Sequence, residues 1–168
     1  YNFVAFQVMN VFGLVLFYRE LSEMGRWFGW RRSVQLLTIV VGILFFPLIM
    51  YCSFVYGNIM GLAFSALAIR LEIVYFQKHQ VRYALCSGGA VLLALLFKSN
   101  YLVFFVGMVI YAFVEIISQK KVKLLLLPLF FVVVFFIQSW TPVMLGEQVS
   151  GEKLDQGASS WSWIAMGL

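Results

Sequence analysis

The stretch LLLLPLFFVVVFFI, residues 124–137, decides the fold class. It is apolar from end to end and shows none of the apolar/polar alternation that a membrane barrel strand requires. Similar stretches fill most of the chain. Of its 168 residues, 63% are hydrophobic and 11% charged, whereas an ordinary soluble domain runs at about 45–50% and about 25%. A soluble core cannot absorb that excess. A bilayer can, because its hydrocarbon layer of about 30 Å calls for helices of roughly 20 mainly apolar residues. The expected fold is therefore all-α, a polytopic bundle of transmembrane helices.

Working outward from residues 124–137, six spans are expected, at about 3–18, 34–54, 58–76, 83–97, 101–117 and 122–138. The fourth and fifth are separated only by Lys98-Ser99-Asn100, which predicts a tight helical hairpin. Pro47 removes a backbone donor inside the second span and predicts a kink there. Residues 1–138 are read as the bundle, part of a larger membrane domain. Residues 139–168 carry Gly146, Glu147, Glu152, Lys153, Asp155 and several serines, which predicts an extracytoplasmic loop. That loop turns apolar again near Trp161 and Trp163, as a segment returning to the headgroup layer would. The chain starts at Tyr1 rather than Met and stops at Leu168 without a polar tail, which is expected of a segment of a longer polypeptide. Asn2, Gln7 and Asn10 interrupt the first apolar run, and no cationic segment precedes it, so no secretory signal is read there.

Charge placement orients the bundle. The gaps after the first, third and fifth spans hold Arg19, Arg26, Arg31 and Arg32, then Arg70, Lys78 and Arg82, then Lys120, Lys121 and Lys123. Everything else holds only Lys98 and Lys153, so ten of the 12 basic residues fall on alternate connections. This is the positive-inside pattern, and it puts the Tyr56-Gly57-Asn58 turn, the Lys98-Ser99-Asn100 turn and the tail on the outer face. It also accounts for the net charge of +5 better than nucleic-acid binding does, since the cations sit in short gaps between apolar runs.

Lys98 breaks the pattern as the one cation in the short outer turns, with Asn100, Tyr56 and Asn58 on its side of the membrane. An ammonium at headgroup depth can contact a phosphate, of an ordinary lipid or of a lipid-linked substrate; it can also simply snorkel to the interface. Gly57, Gly61 and Ser65 recur every four residues, a stripe of small side chains suited to close helix packing, and Ala84 and Gly88 repeat it more briefly. Arg70 and Glu72 lie two residues apart near the inner end of the third span, where snorkelling is the simple account of them. One histidine, His79, and two cysteines give no zinc site, and Cys52 and Cys86 fall near opposite faces, too far apart for a disulfide. No Walker-type glycine loop, Gly-x-Ser-x-Gly elbow or His-Glu-x-x-His helix is present.

Pro47 followed by Tyr51 and Tyr56-Gly57-Asn58, then Lys98-Ser99-Asn100, then an outer loop leading to Trp163-Ile164-Ala165-Met166-Gly167-Leu168, together resemble bacterial membrane glycosyltransferases of the C-type superfamily. The nearest likeness is to the protein mannosyltransferase-like branch (dolichyl-phosphate-mannose-protein mannosyltransferase-related) of Gram-positive bacteria. The resemblance implies a multi-pass enzyme of the bacterial plasma membrane that takes a sugar from a polyprenyl-phosphate carrier and passes it to an extracytoplasmic acceptor. It further implies an acidic residue in the first outer loop, acting as base or metal contact; that loop would precede Tyr1, so the catalytic residue is not assigned. Some relatives carry Asp where this chain has Asn58. Lys98 then matches a carrier-phosphate contact, and Trp161 and Trp163 a wall for the sugar or lipid chain, equally an interfacial belt. The cofactor requirement stays open: a divalent metal is one option, and no metal site is visible in the sequence. A transporter or flippase of a lipid-linked or small substrate, and a non-catalytic scaffold subunit, are the competing readings.

Overall fold

The computed structural model describes residues 3–53, 57–120 and 122–150, with backbone alone at 122, 123 and 142–150. Its elements are α1 (Phe3–Trp27), α2 (Arg32–Leu44), α3 (Phe46–Ser53), α4 (Asn58–Lys78), α5 (Val81–Phe97), α6 (Leu102–Gln119) and α7 (Leu126–Ser150). Short 3-10 turns at Ser99–Tyr101 and Val122–Leu125 precede α6 and α7. Three stretches are long and apolar enough to cross a membrane: α1, α4 and Ser99–Gln119. The bent pair of α2 and α3 makes a fourth if it counts as one span, while α5 and Leu126–Thr141 are shorter apolar helices. The protein is thus all-α and has the marks of a multi-pass membrane protein.

The centre of the bundle is α4. Of its spanning window 67% is buried, against 17% for α1 and for Ser99–Gln119. Its composition explains the position: Gly61, Ala63, Ser65, Ala66 and Ala68 are all buried, and small side chains let neighbouring backbones come close, which is what drives helix association where lipid is as apolar as the core. The longest seam is with α5, whose Ala84, Ser87, Gly88, Ala90 and Ala94 are equally small and buried. Ser87 donates to the carbonyl of Ala68 across that seam at 2.9 Å. α7 closes the far side of α5, where a Cβ on Gly88 would lie 2.1 Å from the Phe130 ring; Leu127, Phe131 and Val134 fill the space beside it. α1 runs along α4, and Gly13 admits Met60 and Ile59.

Several expectations change here. α5 packs on α4 and α7 rather than back along α6, so Lys98-Ser99-Asn100 links two helices without making the tight hairpin expected of it. The small face of α5 explains this, because it is matched by α4 and by the Phe130 ring, whereas α6 presents bulky Val103, Val106 and Ile110 outward. α1 continues past residue 18 through Arg19 and Arg26, so those residues are helical. The loop expected from Ser139 does not begin there, since α7 runs through Trp140 to Ser150. Ser139 and Thr141 donate to the carbonyls of Phe135 at 2.9 Å and Ile137 at 2.7 Å, which satisfies their hydroxyls within the helix. The remainder of the expected loop lies outside the described residues. At Pro47 the expected bend is present: α2 and α3 meet at 54° across Phe45, the proline having no N–H for the carbonyl of Ile43.

The outward faces are apolar. None of the residues of α2 is buried, and α6 turns Val103, Val106, Ile110, Phe113, Val114 and Ile117 away from the bundle. Such continuous apolar surface would drive aggregation in water and is the ordinary lipid-facing surface of a membrane bundle.

Candidate functional site

At the end of the bundle where α4 begins and α5 stops, an open cleft of about 260 Å³ is lined by Leu48, Tyr51, Asn58, Ile59, Leu62, Lys98, Asn100 and Tyr101. α5 ends at Lys98 because the backbone there turns extended (φ −161°, ψ 124°), its N–H still donating to Ala94 at 3.1 Å. The following turn brings Asn100 and Tyr101 around to face the start of α4, the carbonyl of Lys98 accepting from the N–H of Tyr101 at 3.2 Å.

Two glycines permit that approach. A Cβ on Gly57 would lie 2.8 Å from the Phe97 carbonyl oxygen, and one on Gly61 would lie 2.2 Å from the Tyr101 ring. The stripe read in the sequence as helix packing therefore receives the end of α5 and the aromatic floor of the cleft. With its ring over Gly61, Tyr101 donates its hydroxyl to the Asn58 carbonyl. Lys98 Nζ donates to Asn58 Oδ1 at 2.8 Å. The amide nitrogen of Asn58 is left as a further donor.

Among the described residues no carboxylate lines the cleft and Lys98 has no ion-pair partner. Its charge is met by an amide oxygen, which orients an ammonium without neutralising it. The first N–H groups of α4 add to the positive character of this end, since Gly57 supplies no side-chain cap. Donors from Lys98, Asn58, Asn100 and Tyr51 thus stand beside an apolar wall of Leu48, Ile59 and Leu62. This arrangement suits a ligand with an anionic head and an apolar tail. Among its described lining residues there is no carboxylate or histidine that could act as a general base.

Of the residues expected at the site, Lys98, Asn58 and Asn100 share this cleft. Tyr56, Trp161 and Trp163 lie outside the described residues. Tyr101 was legible only as the start of a span; its aromatic position four residues after a helix stop is the sole signal it offers.

A second polar cluster was not expected. Arg70, read as a snorkelling residue, instead donates to Glu20 of α1, whose side chain is fully buried, while Arg19 stands 4.0 Å away on the outside. Glu20 hides in the sequence among the charges after the first apolar run; only its register on a helix that outlasts that run turns it inward. Among the described residues no group of three His, Cys, Asp or Glu side chains is placed to hold a metal. No family profile, curated protein or solved structure matches this chain.

Proposed function

We propose that the Lys98 cleft binds the phosphate of a polyprenyl-phosphate sugar, and that the chain is part of a bacterial plasma-membrane glycosyltransferase passing that sugar to an extracytoplasmic acceptor. The observation that carries the reading is the unneutralised Lys98 ammonium, held 2.8 Å from Asn58 Oδ1 beside an apolar wall. A charge-assisted bond to phosphate recognises the head, and the wall follows the lipid. In this reading α5 and Leu126–Thr141 also cross the membrane, which brings the count to six and the cleft to the outer face. Transfer chemistry needs a base, and the described part of the cleft has none; the reading assigns that role to an acidic residue ahead of Tyr1 and gives the cleft the work of binding and orienting the donor.

The test uses the full-length protein in nanodiscs. Lys98→Ala should weaken polyprenyl-phosphate binding about tenfold, the worth of one hydrogen bond to a charged group, and lower sugar transfer with it. Unchanged binding sinks the cleft assignment. A cysteine at position 98 should react with an impermeant maleimide added to intact cells, and reaction only after lysis sinks the sidedness.

The transporter reading is favoured by one observation, the ionisable side chains enclosed within the bundle, Glu20 with Arg70 and, separately, Glu72. Movement of the carrier across vesicles without glycosidic bond formation would decide for it.

A further inference from the structure

Glu72 is enclosed as fully as Glu20, but among the described residues no cation pairs with it. Its side chain is 1% exposed, and Oε1 has no hydrogen-bond partner among the described residues. The ion pairs of the described residues join Arg19, Arg26 and Arg70 to Glu20 and Glu23 and leave Glu72 out. It lies one helical turn beyond Ala68, whose carbonyl meets Ser87, and one turn before Phe76, whose ring meets Tyr111 edge-on at 5.7 Å. That places Glu72 on the stripe of α4 that α5 and α6 cover.

The polar groups nearest this stripe belong to α6. Tyr111 is within electrostatic range of Glu72, and its hydroxyl donates to Glu115 Oε1 at 2.9 Å. Gln119 Nε2 donates to Glu115 Oε2 at 2.9 Å and to the Phe76 carbonyl at 3.3 Å, tying the end of α6 to the end of α4. Other ionisable groups of the described residues at this end are Arg19, Glu20, Glu23 and Arg26 of α1, Arg70, Tyr75, Lys78 and His79 of α4, Arg82 and Tyr83 of α5, and Lys120 after α6; Glu20 and Arg70 are engaged with each other, and Lys78 and Arg82 lie over the Tyr83 ring.

A carboxylate in that setting faces the cost of an unpaired charge out of water, which a bound proton removes. We propose that Glu72 is a proton-binding site inside the helix bundle. It is separate from the Lys98 cleft, being about 21 Å further along α4, and does not depend on what that cleft binds.

Dicyclohexylcarbodiimide tests this on the intact protein in phosphatidylcholine vesicles. The reagent partitions into lipid and adds a protonated carboxylic acid across its C=N bond, leaving a stable acylurea that peptide mass spectrometry can locate. Glu72 should be modified at neutral pH, where a solvated glutamate is ionised, and the modification should fall as the pH is raised and the proton is lost. A water-soluble carbodiimide should leave Glu72 unmodified. The proposal is overturned by an unmodified Glu72, as a carboxylate held by a cation would be, by modification that ignores pH, or by equal modification from the water-soluble reagent.

Discussion

At its first residue α4 opens into a cleft where an ammonium rests on an amide oxygen; near its other end the same helix sends Arg70 to a carboxylate from α1 that no water reaches. Lys98 is half-buried and has no counter-charge among the described residues, and Glu20 is fully buried and has one. The difference follows from what each location can supply. A charge within reach of water and headgroups keeps its solvation and stays available to a ligand, while one sealed between helices is tolerated once a partner reaches it, as the partly exposed Arg70 reaches Glu20. The open end is accordingly where the proposed recognition would take place, and the closed end is where α1 meets α4 through an ion pair.

The largest effect expected from breaking this contrast is at the closed end. Glu20→Leu should destabilise the bundle by roughly 3–5 kcal/mol, because it strands Arg70, and the double variant Glu20→Leu with Arg70→Met should recover most of that in a reversible unfolding titration in detergent. A single variant as stable as the parent would mean that the pair does not fasten α1. Next comes Gly61→Leu, which drives a side chain into the Tyr101 ring and should cost about 1–3 kcal/mol and abolish phosphate-lipid binding together; loss of one without the other would separate the packing stripe from the cleft. A purely electrostatic change is smaller. Asn58→Asp makes the open end resemble the closed one by giving Lys98 a counter-charge, and phosphate-lipid affinity should drop about tenfold while thermal stability holds. Stronger binding would show that the amide, and not a free ammonium, sets recognition. The least effect is expected at Pro47→Ala, within about 1 kcal/mol, with the break between α2 and α3 straightening, as read by the spacing of spin labels at Val40 and Met50.

Much of this could be read before any coordinates. The runs that became α4, α5, α6 and α7 declare helices by apolar length alone, Pro47 announces the bend, and Gly57, Gly61 and Ser65 announce a close approach. Lys98 stood out for being a cation on the wrong connection, and Asn58 and Asn100 were named with it. What the stripe would admit was not legible, because a glycine states that something comes near and not that it is the Tyr101 ring. The Glu20 to Arg70 contact spans 50 residues, and nothing local distinguishes Arg70 from a lysine or arginine that reaches the interface alone. The end of α7 misled for a local reason: Ser139 and Thr141 look like loop residues, yet their hydroxyls bond back to the helix that carries them.

Hydropathy and charge placement belong to the chain itself, since partition into lipid depends on composition within each segment, and from them come the all-α class and the alternation of charged connections. Which helix lies against which belongs to the folded bundle. In lipid, apolar faces are interchangeable to the solvent, so the match of small α4 to small α5, and the meeting of Lys98 with Asn58 and of Arg70 with Glu20, are settled by shape and polar pairing between segments far apart in sequence.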